Sequence, residues 1–241
     1  MKITNLISPS VLTAANLFFG FLAIIRAFEG DYTSSAWLII IAAVLDGLDG
    51  KLARLMKKGS EFGIQYDSLA DMVSFGVAPA VLAYTAYFDR FGILGAAACF
   101  SIILAGSLRL AKYNLCATTD TKEEYAGLPI PIAAVTTASF LHFSLSLKDQ
   151  FTLEIMFFPL LILLSILMVS AVKYDTLPKF TIKESPKNKV KLILLVGSII
   201  LIGLWPAKSM FPLCVIVIFH GVIRSLIRTI KTDRNPVTEK L

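Results

Sequence analysis

Apolar residues run along this chain in long blocks, separated by short breaks that carry charge, glycine or proline. A helix crossing a hydrocarbon core of about 30 Å needs roughly 20 mostly apolar residues, so each block predicts one crossing. Eight blocks are present, at residues 9–28, 34–56, 65–88, 93–114, 129–147, 153–173, 190–204 and 210–230. The seventh is short, and seven crossings also satisfy the pattern. The expected fold is an all-α integral membrane protein forming a single domain over 1–241, in which a six-helix core (1–175) carries the chemistry and residues 190–230 add a C-terminal helix pair. The polar stretch 173–191 holds Pro178 and Pro186 and reads as a connector. No internal repeat of the inverted-repeat transporter kind is evident.

Composition agrees with a bilayer as solvent: 56% hydrophobic and 17% charged residues, with a mean hydropathy of +0.74, exceed what a soluble domain can bury. Charge adds orientation. With eight crossings, nineteen of the 23 Lys and Arg fall on the side of the two termini and the loops after helices two, four and six, leaving Arg26, Arg90, Lys148 and Lys208 opposite. Lys and Arg accumulate on the cytoplasmic side, so a multi-pass cell-membrane protein with both termini cytoplasmic is expected. The net charge of +6 is spread over five segments and forms no basic stripe with interleaved aromatics. That argues against nucleic acid as a partner and for anionic membrane lipids.

The first block lacks a strongly basic start and a small-residue cleavage site, and reads as a retained helix. Cys99, Cys116 and Cys214 are odd in number and lack metal-ligand spacing, which leaves them as small apolar fillers. Trp37 and Trp205 sit near block ends, as aromatic anchors do. His142 and His220 have no acid nearby in sequence.

Four acids interrupt the otherwise apolar helices two and three at their cytoplasmic ends. Asp46, Asp49, Gly50 and Ala53 follow offsets of three, four and seven, which places them on one helix face; Asp67 and Asp71 are four apart on the next helix. A short connector lets the two faces oppose each other. Each ionised acid at membrane depth costs about 2.5 kcal/mol or more on insertion scales, and neighbouring carboxylates also repel. Two divalent cations would balance the four, and an all-oxygen set suits Mg²⁺ or Mn²⁺ better than zinc. The glycines and Ala53 leave room for a large polar ligand against the helix, and Arg54 supplies a positive charge for phosphate or a nucleobase edge. The competing explanations are interhelical Lys or Arg partners and the ion site of a cation-coupled carrier. Carrier sites belong near the bilayer midplane, whereas this cluster lies at one interface. A two-metal phosphoryl-transfer site fits the pattern best.

The string Asp46-Gly-Leu-Asp49-Gly50-Lys-Leu-Ala53-Arg54, followed after eight residues by Gly63-Ile-Gln-Tyr-Asp67-Ser-Leu-Ala-Asp71, resembles the motif of the CDP-alcohol phosphotransferases, D-x-x-D-G-x-x-A-R…G-x-x-x-D-x-x-x-D, at every fixed position. The resemblance implies that Asp46, Asp49 and Asp67 hold one metal ion and Asp46, Asp67 and Asp71 a second, with Asp71 as general base. It implies that Gly50, Ala53, Arg54, Ser60 and Gly63 face the CDP-linked donor, and that Pro9, Thr13 and Asn16 on the first helix help line the nucleotide pocket. It also implies a lipid donor, CDP-diacylglycerol or a CDP-archaeol type with isoprenoid tails, release of CMP, and a homodimer.

Two further runs, Ser107-Leu-Arg109-Leu-Ala-Lys112-Tyr-Asn114 and Gly127-Leu-Pro-Ile-Pro131, resemble the phosphatidylserine synthase branch of that family, which implies L-serine as acceptor. Arg109, Lys112 and Asn114 are then the candidate acceptor-binding residues. Arg109 and Lys112 also stand where positive-inside anchoring alone would put them, and Gly127 to Pro131 also serves as a turn and helix start. Glycerol 3-phosphate and inositol phosphate are the rival acceptors.

Overall fold

The structure, a computed structural model, describes residues 9–56, 61–118, 127–147, 150–172, 174, 197–198 and 200–234, and among them all regular structure is helical. Helix α1 (Pro9–Phe28) begins on a proline, whose missing N–H costs nothing in a first turn. It ends in a Schellman turn: Gly30, at φ +79°, donates to Ala27 O and Asp31 donates to Arg26 O. Asp31 then caps α2 (Tyr32–Met56) by accepting the Ser34 backbone N–H at 3.1 Å. The hydroxyl and amide of Ser34 hold the Asp31 carboxyl below its ordinary range.

The third predicted block starts earlier than hydrophobicity alone suggested. Helix α3 (Glu61–Asp71) runs through a π-helical segment, Met72–Val77, into α4 (Ala78–Ala83) and a second π segment, Tyr84–Phe88. A 3₁₀ turn, Asp89–Phe91, and Gly92 at φ +52° reverse the chain into α5 (Gly92–Thr118), which packs back along the same run. Helices α6 (Ile130–Leu145), α7 (Gln150–Val169) and α8 (Pro206–Arg234) follow. The eighth predicted block is the core of α8, which extends further at both ends. Most of the seventh block and nearly all of the connector 173–191 lie outside the described residues.

Helix α6 sits at the centre, packed against α2, α7 and α8. Small residues (Ala133, Ala134, Ala138) let neighbours approach, and its buried hydroxyls satisfy themselves on their own helix, as in Thr136 to Ile132 O at 2.7 Å and Thr137 to Ala133 O at 3.0 Å. Phe140 stacks on Phe157 of α7 at 4.7 Å, and Tyr87 and Ser144 hydroxyls meet at 2.6 Å. Gly127, at φ +98°, is welded to the far end of α7: its N–H donates to Val172 O, and that of Leu128 to Leu167 O.

The core is apolar and the exposed surface is strongly apolar as well. Phe18, Phe21, Phe28, Val44, Ile93 and Phe100 are exposed, while Thr13, Asn16, Asp49 and Asp71 are buried. The stretches Val11–Phe28, Glu61–Leu115 and Pro206–Ile227 are long and apolar enough to cross a membrane, the second of them folded back at Gly92, and Ile130–Leu145 and Ile155–Val169 are shorter apolar helices. This is the design of a helical membrane protein.

One contact sets how close α1 comes to the π segment. A Cβ added at Gly20 would stand 2.6 Å from Ser74 Cα, so only glycine permits this approach. Gly20→Ala is expected to lower the melting temperature in detergent, with an overpacking cost of about 1–3 kcal/mol; an unchanged melting temperature would mean that the two helices separate freely.

Candidate active site

Four helical segments converge at one end of the bundle: the start of α1, the end of α2, α3, and the end of α5. Antiparallel packing of α1 on α2 and of α5 on the 61–88 run produces this convergence. Asp46 and Asp49 project from α2 and Asp67 from α3 so that one oxygen of each lies within 4.8 Å of the others. Asp71, one turn beyond Asp67, is buried beside this trio and within electrostatic reach of all three. Two like charges about 4 Å apart repel by roughly 4 kcal/mol at an effective dielectric near 20. Such a cluster needs compensation.

Arg26 and Glu29 form an exposed ion pair near the other end of α1. Polar compensation at the cluster comes from α1. Thr13 Oγ1 donates to Asp49 Oδ2 at 2.6 Å, and Asn16 Nδ2 donates to Asp71 Oδ1 at 3.1 Å. Asp67 Oδ1 is buried and accepts no hydrogen bond. Three convergent carboxylates, an orphaned buried oxygen and an all-oxygen donor set fit a hard divalent cation such as Mg²⁺ or Mn²⁺.

Gly50 borders open space, since a Cβ there would meet no atom within 4 Å. Gly63 is half-buried in α3. Pro9, Ala53 and Arg54 lie in their helices with side chains outside the described set, and Ser60 lies outside the described residues altogether. Asn114 bridges two helices, donating to Gln65 Oε1 and accepting from Ser68 Oγ, both at 3.1 Å. Arg109, five residues earlier on α5, is half-buried. Lys112 is exposed.

Gln65, Ser68, Ser74 and Gly20 join the site's framework without any signal in the sequence. Their partners are 46 to 58 residues distant or are met only by close approach. An apolar cavity of about 620 Å³, lined by Phe28, Val81, Tyr84, Ile93 and Phe100 among others, lies toward the other end of the bundle and offers no charged group to a polar substrate.

The chain matches the CDP-alcohol phosphatidyltransferase family over residues 6–161. It is 34% identical over 226 residues to a CDP-diacylglycerol–serine O-phosphatidyltransferase of Helicobacter pylori, covering 92% of each chain. Similarity to the archaetidylserine synthase of Methanothermobacter thermautotrophicus is 37% over 178 residues, 72% of each. With a CDP-diacylglycerol–serine O-phosphatidyltransferase of Methanocaldococcus jannaschii it is 30% over 213 residues, 88% of this chain and 91% of the relative.

Proposed function

Because the chain belongs to the CDP-alcohol phosphatidyltransferase family, and is thus a membrane-embedded transferase, we propose that it makes phosphatidylserine, or its ether-lipid analogue, from a CDP-linked lipid and L-serine with release of CMP. The observation that carries the chemistry is the convergence of Asp46, Asp49 and Asp67 beside buried Asp71. The choice of serine rests on the relatives, whose names specify serine products over nearly the whole of this chain in the case of Helicobacter pylori. A cation-coupled carrier has no support beyond the acids themselves.

Asp46, Asp49, Asp67 and Asp71 would hold two divalent cations, which when bound neutralise the pyrophosphate and the charge developing on the leaving CMP. The remaining chemistry belongs to the chain. The open space beside Gly50 admits the nucleotide end of the donor, and Arg54 on the same helix supplies a fixed positive charge to it. Asn16 donates to Oδ1 of Asp71 and steadies the carboxylate that takes the proton of the acceptor hydroxyl. The hydroxyl oxygen forms a bond to the lipid-linked phosphorus as the bond from that phosphorus to the CMP oxygen breaks. The lipid keeps its phosphate, CMP leaves, and the proton held on Asp71 passes to solvent. Arg109 would receive the carboxylate of serine, as the resemblance to the serine-using branch implies. With both termini cytoplasmic, as the basic residues argue, acceptor and CMP exchange with the cytoplasm while the tails stay in lipid.

CMP release by the purified protein with CDP-diacylglycerol and Mn²⁺ or Mg²⁺ is expected with L-serine and not with glycerol 3-phosphate, inositol or inositol 1-phosphate, and a chelator should abolish it. Release with another alcohol alone would move the acceptor and keep the reaction. Asp71→Asn should lower kcat by at least about 10²-fold, the scale of a lost general base, while donor binding persists; normal turnover would remove Asp71 from that role. Arg54→Ala should raise the KM for the CDP-lipid and lower kcat, and an unchanged donor titration would overturn the nucleotide assignment.

A further inference from the structure

Thr13 and Asn16 are three residues apart on one face of α1, and both are buried, Asn16 completely. Each gives one hydrogen bond to one carboxylate: Thr13 Oγ1 to Asp49 Oδ2, Asn16 Nδ2 to Asp71 Oδ1. An ionised carboxylate only accepts, so the amide nitrogen of Asn16 must face Asp71. The backbone around these donors is itself pinned. Ser74 Oγ, three residues beyond Asp71, donates to Asn16 O at 3.0 Å, and Gly20 lets α1 close onto Ser74. Helix α1 is therefore held at one height against the helix that carries Asp71, with two donors aimed at two acids of the cluster.

We propose that Thr13 and Asn16 are positioning residues, which act through Asp49 and Asp71 to hold the carboxylates in the orientation that takes a divalent cation. The inference rests on the metal reading above. It differs from the nucleotide-lining role that the family resemblance implies for these two residues, because their donors, Thr13 Oγ1 and Asn16 Nδ2, are engaged with the acids, while Asn16 Oδ1 is buried. Each bond occupies one oxygen of its carboxylate, fixes the rotation of the side chain, and leaves the second oxygen for the site. Outer hydrogen bonds of this kind typically change metal affinity by about 10–100-fold when removed. The arrangement divides the labour between helices: α2 and α3 supply the acids, and α1 supplies the donors that aim them.

The test is Mn²⁺ binding to the full-length protein in detergent without any CDP-lipid, followed by loss of the free-ion electron paramagnetic resonance signal. Thr13→Val keeps the volume and removes the donor, and its dissociation constant for Mn²⁺ should rise by about 10–100-fold; Thr13→Ser, which keeps the hydroxyl, should stay near the wild-type value. Asn16→Leu should weaken Mn²⁺ binding in the same way. If Thr13→Val does not fold, Thr13→Ala is compared with Thr13→Ser. Wild-type affinity in Thr13→Val or Thr13→Ala together with a raised KM for the CDP-lipid would overturn the positioning role and return the residue to the nucleotide pocket. Failure of the wild-type protein to bind Mn²⁺ at all would instead overturn the metal reading on which the inference stands.

Discussion

Everything at the working end of this bundle follows from the need to keep four carboxylates together inside an apolar protein. Left to themselves Asp46, Asp49, Asp67 and Asp71 would drive α2 and α3 apart, since each acid is poorly solvated and each repels its neighbours. The packing opposes this from three sides. Helix α1 lies along α2 and closes onto the π segment through Gly20, α5 is tied to α3 by Asn114, and α6 fills the centre behind them. The acids are thus gathered by helices whose own stability is apolar and independent of them, and the electrostatic strain becomes available to a cation.

Much of this was legible in the sequence because the bilayer makes the code simple. A backbone that must satisfy its own hydrogen bonds in lipid becomes a helix wherever the chain is apolar for long enough, and the blocks ending at Phe28, Met56 and Phe88 do so. Acids at offsets of three and four can only share faces, so the opposition of Asp46 and Asp49 to Asp67 was forced once the connector was short. What hydrophobicity did not carry were the pairings between distant residues. Nothing local marks Thr13 as the partner of Asp49, Asn16 of Asp71, or Asn114 of Gln65 and Ser68. These depend on how far each helix slides along its neighbour, which small side chains such as Gly20 decide. The start of α3 at Glu61 was also missed, because its first turns are too polar to read as a crossing.

The two ends of the molecule carry opposite chemistry on the same helices. At one end the interior is polar and the periphery apolar; toward the other, the cavity beside Phe28, Tyr84 and Phe100 is apolar throughout. A substrate with a charged head and hydrocarbon tails meets a matching gradient along a single wall. In the proposed reaction the head group would be exchanged at the polar end while the tails stay in lipid.

The π-helical segment Met72–Val77 separates Asp71 from the buried face of α4. A π turn holds one residue more than the α turn it replaces, so it acts as a phase shifter within one continuous rod. Upstream, the rod presents Asp67 and Asp71 to the acid cluster; downstream, it presents Ala78, Ala80 and Leu82 to the core. The extra residue is absorbed inside the segment, so an α-helical stretch one residue shorter would join the same two faces, whereas an α-helix of the same length would turn one half against the other by roughly 100°. The face that meets the acids and the face that meets the core are thus matched to the π winding of these six positions.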